Sequence, residues 1–182
     1  MSAPAASAPA IELRLRAIGQ LFNTLDPSPF HERDLDQDAE DFIVGWAREL
    51  PADVPLRIVV HLQEDAATDP RAGELRPVLA GFFEQRAAAV ARDLRETFRF
   101  GRRSLMVSLP ILAACMVAAT LVDPLVEARP LARFLEEGLL IFGWVVNWRP
   151  AEILLFEWWP LARRRDLYRR LAQAEVEIRS PS

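Results

Sequence analysis

Lysine is absent from this chain of 182 residues; all 22 basic side chains are arginine. Cysteine occurs once, at Cys115, and histidine twice, at His31 and His61. A single cysteine excludes an intrachain disulfide and a cysteine metal site. Cys115 lies inside an apolar run and reads as a small packing residue. His31 falls in a proline-rich loop and His61 on a strand face, an arrangement without metal-ligand spacing. The seven glycines are scattered and build no phosphate-cradling loop. No Ser-His-Asp pattern is present. Met1 to Ala10 has neither a basic n-region nor an apolar h-region, so it reads as a disordered tail rather than a secretory signal. The soluble part is therefore expected to stay on the side of synthesis. Together these absences point away from an enzyme and from any bound cofactor or metal. The arginine-only, alanine-rich composition fits a GC-rich bacterial genome.

What the chain has is apolar length. Hydrophobic residues make up 51% and are segregated from the charges. Leu105 to Val122 is an apolar run long enough to cross a bilayer. Gly138 to Leu161 is a second run of spanning length, interrupted by Asn147, Arg149, Pro150, Glu152 and Glu157. A transmembrane helical hairpin is expected over residues 104–161, with a connecting loop at Asp123–Glu137. That loop carries Arg129 and Arg133 against four acidic residues. Arginines crowd the outer flanks: Arg102 and Arg103 before the first span, then Arg163, Arg164, Arg165, Arg169 and Arg170 after the second. The positive-inside rule puts both termini in the cytoplasm of a bacterial inner membrane. The flanking arginines read as contacts to anionic lipid headgroups, the last five on a basic interfacial helix over 162–173.

A small domain surrounds the hairpin in sequence. Ile11 to Arg16 alternates apolar and charged residues, the pattern of a half-buried strand, with a continuation expected through Ile18 to Phe22. A helix is expected to start at Asp34–Asp38 and to bury Phe42, Ile43, Trp46, Ala47 and Leu50 before Pro51 stops it. Leu56 to Leu62 forms a second strand, and Gln63–Gly73 a polar loop. A long amphipathic helix follows over Glu74–Phe100, with Leu75, Val78, Leu79, Phe82, Phe83, Val90, Leu94 and Phe98 on one side and a joint at Gly101. Val176 and Ile178 alternate with charges, giving a third strand over 174–179. Since two strands make a marginal sheet, this last one is expected to complete it. The fold class is thus α+β: a cytoplasmic α/β sandwich of three short strands and two helices over 11–103, fused to the membrane hairpin.

The sharpest constellation is on the second span. Gly138, Phe142, Val145, Arg149, Glu152 and Phe156 are spaced by alternating fours and threes, so they form one stripe. Arg149 and Glu152 are close enough to interact. Arg149 stands roughly 16 Å from Gly138, near mid-bilayer for a full span. Three readings stay open: a polar inter-helix contact of Arg149, Glu152, Asn147 and Glu157; a helix break at Pro150 that brings the charges to water; or a pore lining. Trp158 and Trp159 read as interfacial anchors, while Trp144 and Trp148 fall deeper, where they can pack between helices. On the first span Ser108, Leu112, Cys115, Ala119 and Val122 share a side, and their small size permits close helix approach. Asp34, Asp36 and Asp38 resemble the start of a calcium loop, but Ala39 and Gly45 stand at its glycine and bidentate-acid positions, so helix capping accounts for them. Nucleic acid is an unsuitable partner, because residues 1 to 100 hold 11 arginines against 17 acids.

Three strings, Asp26-Pro27-Ser28-Pro29-Phe30, Arg33-Asp34-Leu35-Asp36 and Trp148-Arg149-Pro150-Ala151-Glu152-Ile153-Leu154, resemble a family of small bacterial two-span membrane proteins of uncharacterised function. The resemblance implies no activity, cofactor or partner. The function expected from the residues is a homo-oligomeric membrane scaffold or membrane-organising assembly. A channel subunit lined by Arg149 and Glu152, or an accessory subunit of another membrane complex, are the alternatives. Expected partners are the bilayer, further copies of the chain and, for the accessory reading, an unidentified membrane protein.

Overall fold

The computed structural model describes residues 10–23, 29, 33–63 and 70–179. His31 and most of the Asp26–Phe30 string lie outside them, as do residues 1–9 of the expected tail. The chain divides into two compact units. One holds residues up to Val90 and from Arg163 on; the other is Ala91–Ala162.

The first unit is built on a parallel sheet of three strands in the order β1 (Ala10–Leu15), β2 (Arg57–Leu62) and β3 (Glu175–Arg179). Parallel neighbours require long crossovers. Helix α1 (Gln37–Glu49) supplies the first. The second runs from Leu62 to Glu175 and contains every other helix. The C-terminal strand therefore pairs with the N-terminal part of the same chain. Register aligns Ile11 with Ile58 and Val176, and Leu13 with Val60 and Ile178. Period-2 alternation puts these residues on one face, and Ile11, Leu13, Ile58 and Val60 are buried there. The opposite face is a charged row: Glu12 and Arg14 on β1, Arg57 and His61 on β2, Glu175, Glu177 and Arg179 on β3. Parallel sheets are usually apolar on both faces. Here only Val59 is a buried apolar residue on the second face.

Asp36 starts α1, its Oδ1 accepting the Asp38 N–H at 3.1 Å. The buried side of α1 differs from the expected stripe. Glu40, Ile43, Val44 and Ala47 face the core, while Phe42 and Trp46 are exposed and pair ring to ring at 6.2 Å. Both sets have helical spacing, and burial of Glu40 selects between them. The expected continuation of β1 is instead a 3-10 turn, Ile18–Leu21. Phe22 then bridges to Leu35, closing the loop that leads into α1.

Helix α2 runs unbroken over Leu75–Leu125, so Gly101 is not a joint. One glycine costs about 1 kcal/mol, too little to interrupt a helix of this length. Val78, Leu79, Phe82, Phe83, Val90 and Leu94 are buried as the stripe predicted. The connecting loop expected over 123–137 shrinks to Val126–Ala128, because α3 already begins at Arg129. Pro130 in the first turn needs no hydrogen-bond donor, and the following residues are helix formers. Helix α3 (Arg129–Glu152) passes through a π turn, Ile153–Glu157, into α4 (Trp158–Ala172) without a break. Pro150 therefore does not end the helix. The basic helix expected over 162–173 is the end of this same rod, with Tyr168 and Leu171 buried in the α/β unit. That unit thus uses three helical segments, not two. The two long rods, Pro70–Leu125 and Arg129–Ala172, are each long and apolar enough to cross a membrane. Only 17% of each apolar window is buried, which separates them from core helices of a globular domain.

Candidate functional site

In the Ala91–Ala162 unit the small residues of α2 meet α3 as spacing predicted. Ser108, Cys115 and Ala119 are buried. At Gly143 a Cβ would stand 2.9 Å from the Leu112 side chain and 3.2 Å from Cys115 Cβ. At Gly101 it would stand 2.9 Å from Leu154. These two glycines set the distance between the helices. Asn147 is the polar link between them: its Oδ1 accepts from Ser108 Oγ at 2.9 Å, and its Nδ2 donates to the carbonyls of Ser108 at 3.2 Å and Gly143 at 3.0 Å.

These contacts give the register of the pair. Phe98 lies beside Trp158, Gly101 beside Leu154, Ser108 beside Asn147, and Leu112 and Cys115 beside Gly143. Each step forward on one helix is a step back on the other. Counting from Ser108 and Asn147, Arg149 is level with Met106 and Glu152 with Arg103. The arginine that counting from Gly138 places at mid-span therefore sits about one turn from Arg102 and Arg103.

Arg149 faces away from α2. Its Nη1 donates to Glu152 Oε2 at 2.9 Å and lies 2.8 Å from Glu157 Oε1. In a regular helix Glu157 would point about 80° away from Arg149. The π turn inserts one residue, so Glu157 takes the place of an i+7 residue, about 20° from Arg149. Of the four expected polar residues, Asn147 alone makes the inter-helix contact within this chain; Arg149, Glu152 and Glu157 form an ion-paired row on the outer surface. Trp144 and Trp148 also face outward, not between α2 and α3.

The flanking arginines divide. Arg102 and Arg103 are exposed on α2. Arg164 donates to the Tyr168 hydroxyl at 3.2 Å, and Arg165 and Arg169 pair with Asp166. Arg170 donates to the carbonyls of Pro51 at 2.6 Å and Val54 at 2.9 Å, holding the loop after α1.

No family model, curated protein or solved structure matches the chain.

The α/β unit has a polar centre that sequence spacing did not reveal. Glu40 is 8% exposed, and its carboxylate accepts from Tyr168 Oη at 2.9 Å and from Arg86 Nη2 at 2.7 Å. Arg86 lies over the Phe82 ring and Tyr168 stacks on Phe83, so one carboxylate ties α1, α2 and α4 together. A cavity of about 450 Å³ opens at the C-terminal ends of β1 and β2, lined by Arg14, Arg16, His61 and Gln63 with Leu15 and Leu62. His61 Nε2 has no hydrogen-bond partner and lies 3.8 Å from Glu12. Among the described residues no cluster of His, Cys, Asp or Glu has the arrangement of a metal site.

Proposed function

We propose that this is a membrane-anchored, self-associating protein that acts as a scaffold or organiser of a bacterial inner membrane rather than as a catalyst. On this reading the hairpin crosses the bilayer and both termini are cytoplasmic. Large apolar side chains cover the outside of the hairpin, among them Met106, Val107, Met116, Ile141, Phe142, Trp144 and Trp148. An apolar surface of this extent on an unburied helix pair suits lipid or another apolar chain.

The observation that carries self-association is the outward charged row of α3. With Glu137 at the other end it limits the uncharged length of that helix to Gly138–Trp148, eleven residues, about 16 Å. The neighbouring run on α2, Leu105–Val122, is about 27 Å, close to the ~30 Å hydrocarbon thickness. A short span is accommodated by snorkelling, by bilayer thinning or by oligomerising. Arg149 does reach toward the Trp158 end through Glu157. Its five donors nonetheless exceed what two single contacts use, and the row stands on an outer surface flanked by Phe142, Val145 and Phe156. A second copy laid along this stripe would shield the row and supply further acceptors.

Native mass spectrometry of the full chain in lipid nanodiscs tests this. The parent is expected as a discrete oligomer. Arg149→Leu should weaken it most, since it leaves two carboxylates without a cation, and replacing Arg149, Glu152 and Glu157 together by leucine should restore much of it. A monomer in every variant would end the self-association reading. A co-purifying foreign polypeptide would favour the accessory-subunit reading. The exposure of the row also allows a pore between copies; conductance abolished by Arg149→Leu in planar bilayers would select that reading.

A further inference from the structure

Arg95, Arg99 and Arg102 occupy one face of α2 at spacings of four and three. With Phe98 on the same helix and Leu154 from the opposite rod they line a groove of about 450 Å³. Four features distinguish it. Arg95 spends its Nε on the Ala91 carbonyl at 3.1 Å, leaving its two terminal nitrogens free of that bond. None of the three arginines lies within 4 Å of a carboxylate among the described residues, whereas Arg57, Arg86, Arg149 and Arg165 all do. The carboxylates that the opposite rod brings to this level, Glu152 and Glu157, are already taken by Arg149. Finally, the floor is apolar, and its Leu154 packs closely on Gly101, where a Cβ would stand 2.9 Å from the Leu154 side chain. Phe98 lies 6.0 Å from Trp158, which lies 5.7 Å from Trp159. Arg102 is three residues, about 4.5 Å of helix, before Leu105, where the apolar run begins.

We infer that this groove is a binding site for the phosphate of an anionic phospholipid. Three guanidinium groups offer the planar, multi-donor geometry that phosphate oxygens accept. The apolar floor of Phe98 and Leu154 receives the glycerol and the first methylenes of the acyl chains. Basic pockets between membrane helices at the cytoplasmic border are suited to such headgroups. The inference rests on the proposed membrane placement of the hairpin and goes beyond it, because general attraction of surface arginines to lipid needs no groove.

The test uses the full chain. Flotation on vesicles of pure phosphatidylcholine reports membrane insertion alone, so its failure would sink the membrane reading separately. Lipid retention is then read by native mass spectrometry after delipidation and addition of phosphatidylglycerol or phosphatidylcholine with the same acyl chains. The parent is expected to retain phosphatidylglycerol in preference. Arg95→Gln/Arg99→Gln/Arg102→Gln should float normally and lose that retention by at least about tenfold, the loss of one charge-assisted hydrogen bond or more. Arg129→Gln/Arg133→Gln, at the opposite end of the helix pair, should retain it. Equal retention of the two lipids by the parent, or undiminished phosphatidylglycerol retention by the triple variant, would overturn the site. Displacement of the lipid by millimolar inorganic phosphate would assign the groove to the free anion instead and overturn the lipid inference.

Discussion

Glu40 offers the most quantitative test of how the α/β unit is held. Its carboxylate is buried, Tyr168 is almost completely so, and the Arg86 side chain is 46% exposed. Tyr168→Phe removes the hydrogen bond to the charged Glu40 acceptor, about 1.5–3 kcal/mol, together with the longer bond from the exposed Arg164, which can turn to water. The lower end applies, because Arg86 continues to neutralise the carboxylate. Glu40→Leu frees Arg86, which can turn to water, so little of an ion-pair energy is lost there. It also leaves the Tyr168 hydroxyl buried without its acceptor, about 1–3 kcal/mol. We expect about 2 kcal/mol for Glu40→Leu. The double variant should cost clearly less than the two single losses added, because the orphaned hydroxyl is then gone. Amide exchange at Leu13 and Val60 in the full-length protein in nanodiscs, under conditions that report opening free energies, measures all three. The reasoning fails if Tyr168→Phe changes protection by less than about 0.5 kcal/mol and the double variant is additive within that margin. Glu40 would then be a solvated side chain with no share in joining the helices.

Further outcomes follow from the same geometry. Gly143→Leu should separate α2 from α3, since even a Cβ meets Leu112 and Cys115 too closely; cross-linking between cysteines introduced near the Ser108–Asn147 level should drop sharply. Asn147→Leu is expected to cost the pair about 0.6–2 kcal/mol, the range for polar contacts between membrane helices, and steric trapping or thermal unfolding in bicelles would measure it. The Glu177 carboxyl is held below its ordinary value of 4.5 by hydrogen bonds from Arg179 and then Arg57. Its contribution to β3 is therefore complete above the ordinary value and lost as pH falls through the lowered folded value. A carboxyl carbon titration by NMR should show the depressed midpoint, and Glu177→Gln should remove this part of the acid weakening of β2–β3 exchange protection. Deleting residues 174 to 182 should lower protection at Val60, whose β3 neighbour Ile178 is removed; unchanged protection would show that β3 contributes nothing to the sheet.

The two apolar runs and the three alternating strands were legible in the sequence, because local periodicity dictates them: a strand must alternate, and a lipid-length helix must be apolar for its whole length. The Ser108, Cys115 and Ala119 face was legible for the same reason, since small residues at helical spacing have one use. Other features depended on contacts that no local pattern encodes. The buried side of α1 was decided by Tyr168 and Arg86, which lie far along the chain from Glu40. The parallel sheet order followed from where the C-terminal strand returned. The level of Arg149 along the helix pair was decided by the register of α3 against α2, fixed at Gly101, Gly143 and Asn147, and Glu157 reached it only through the π turn after Pro150. Sequence spacing along one helix measures distance within that helix alone; where a charge lies relative to its neighbours is set by the packing of the second.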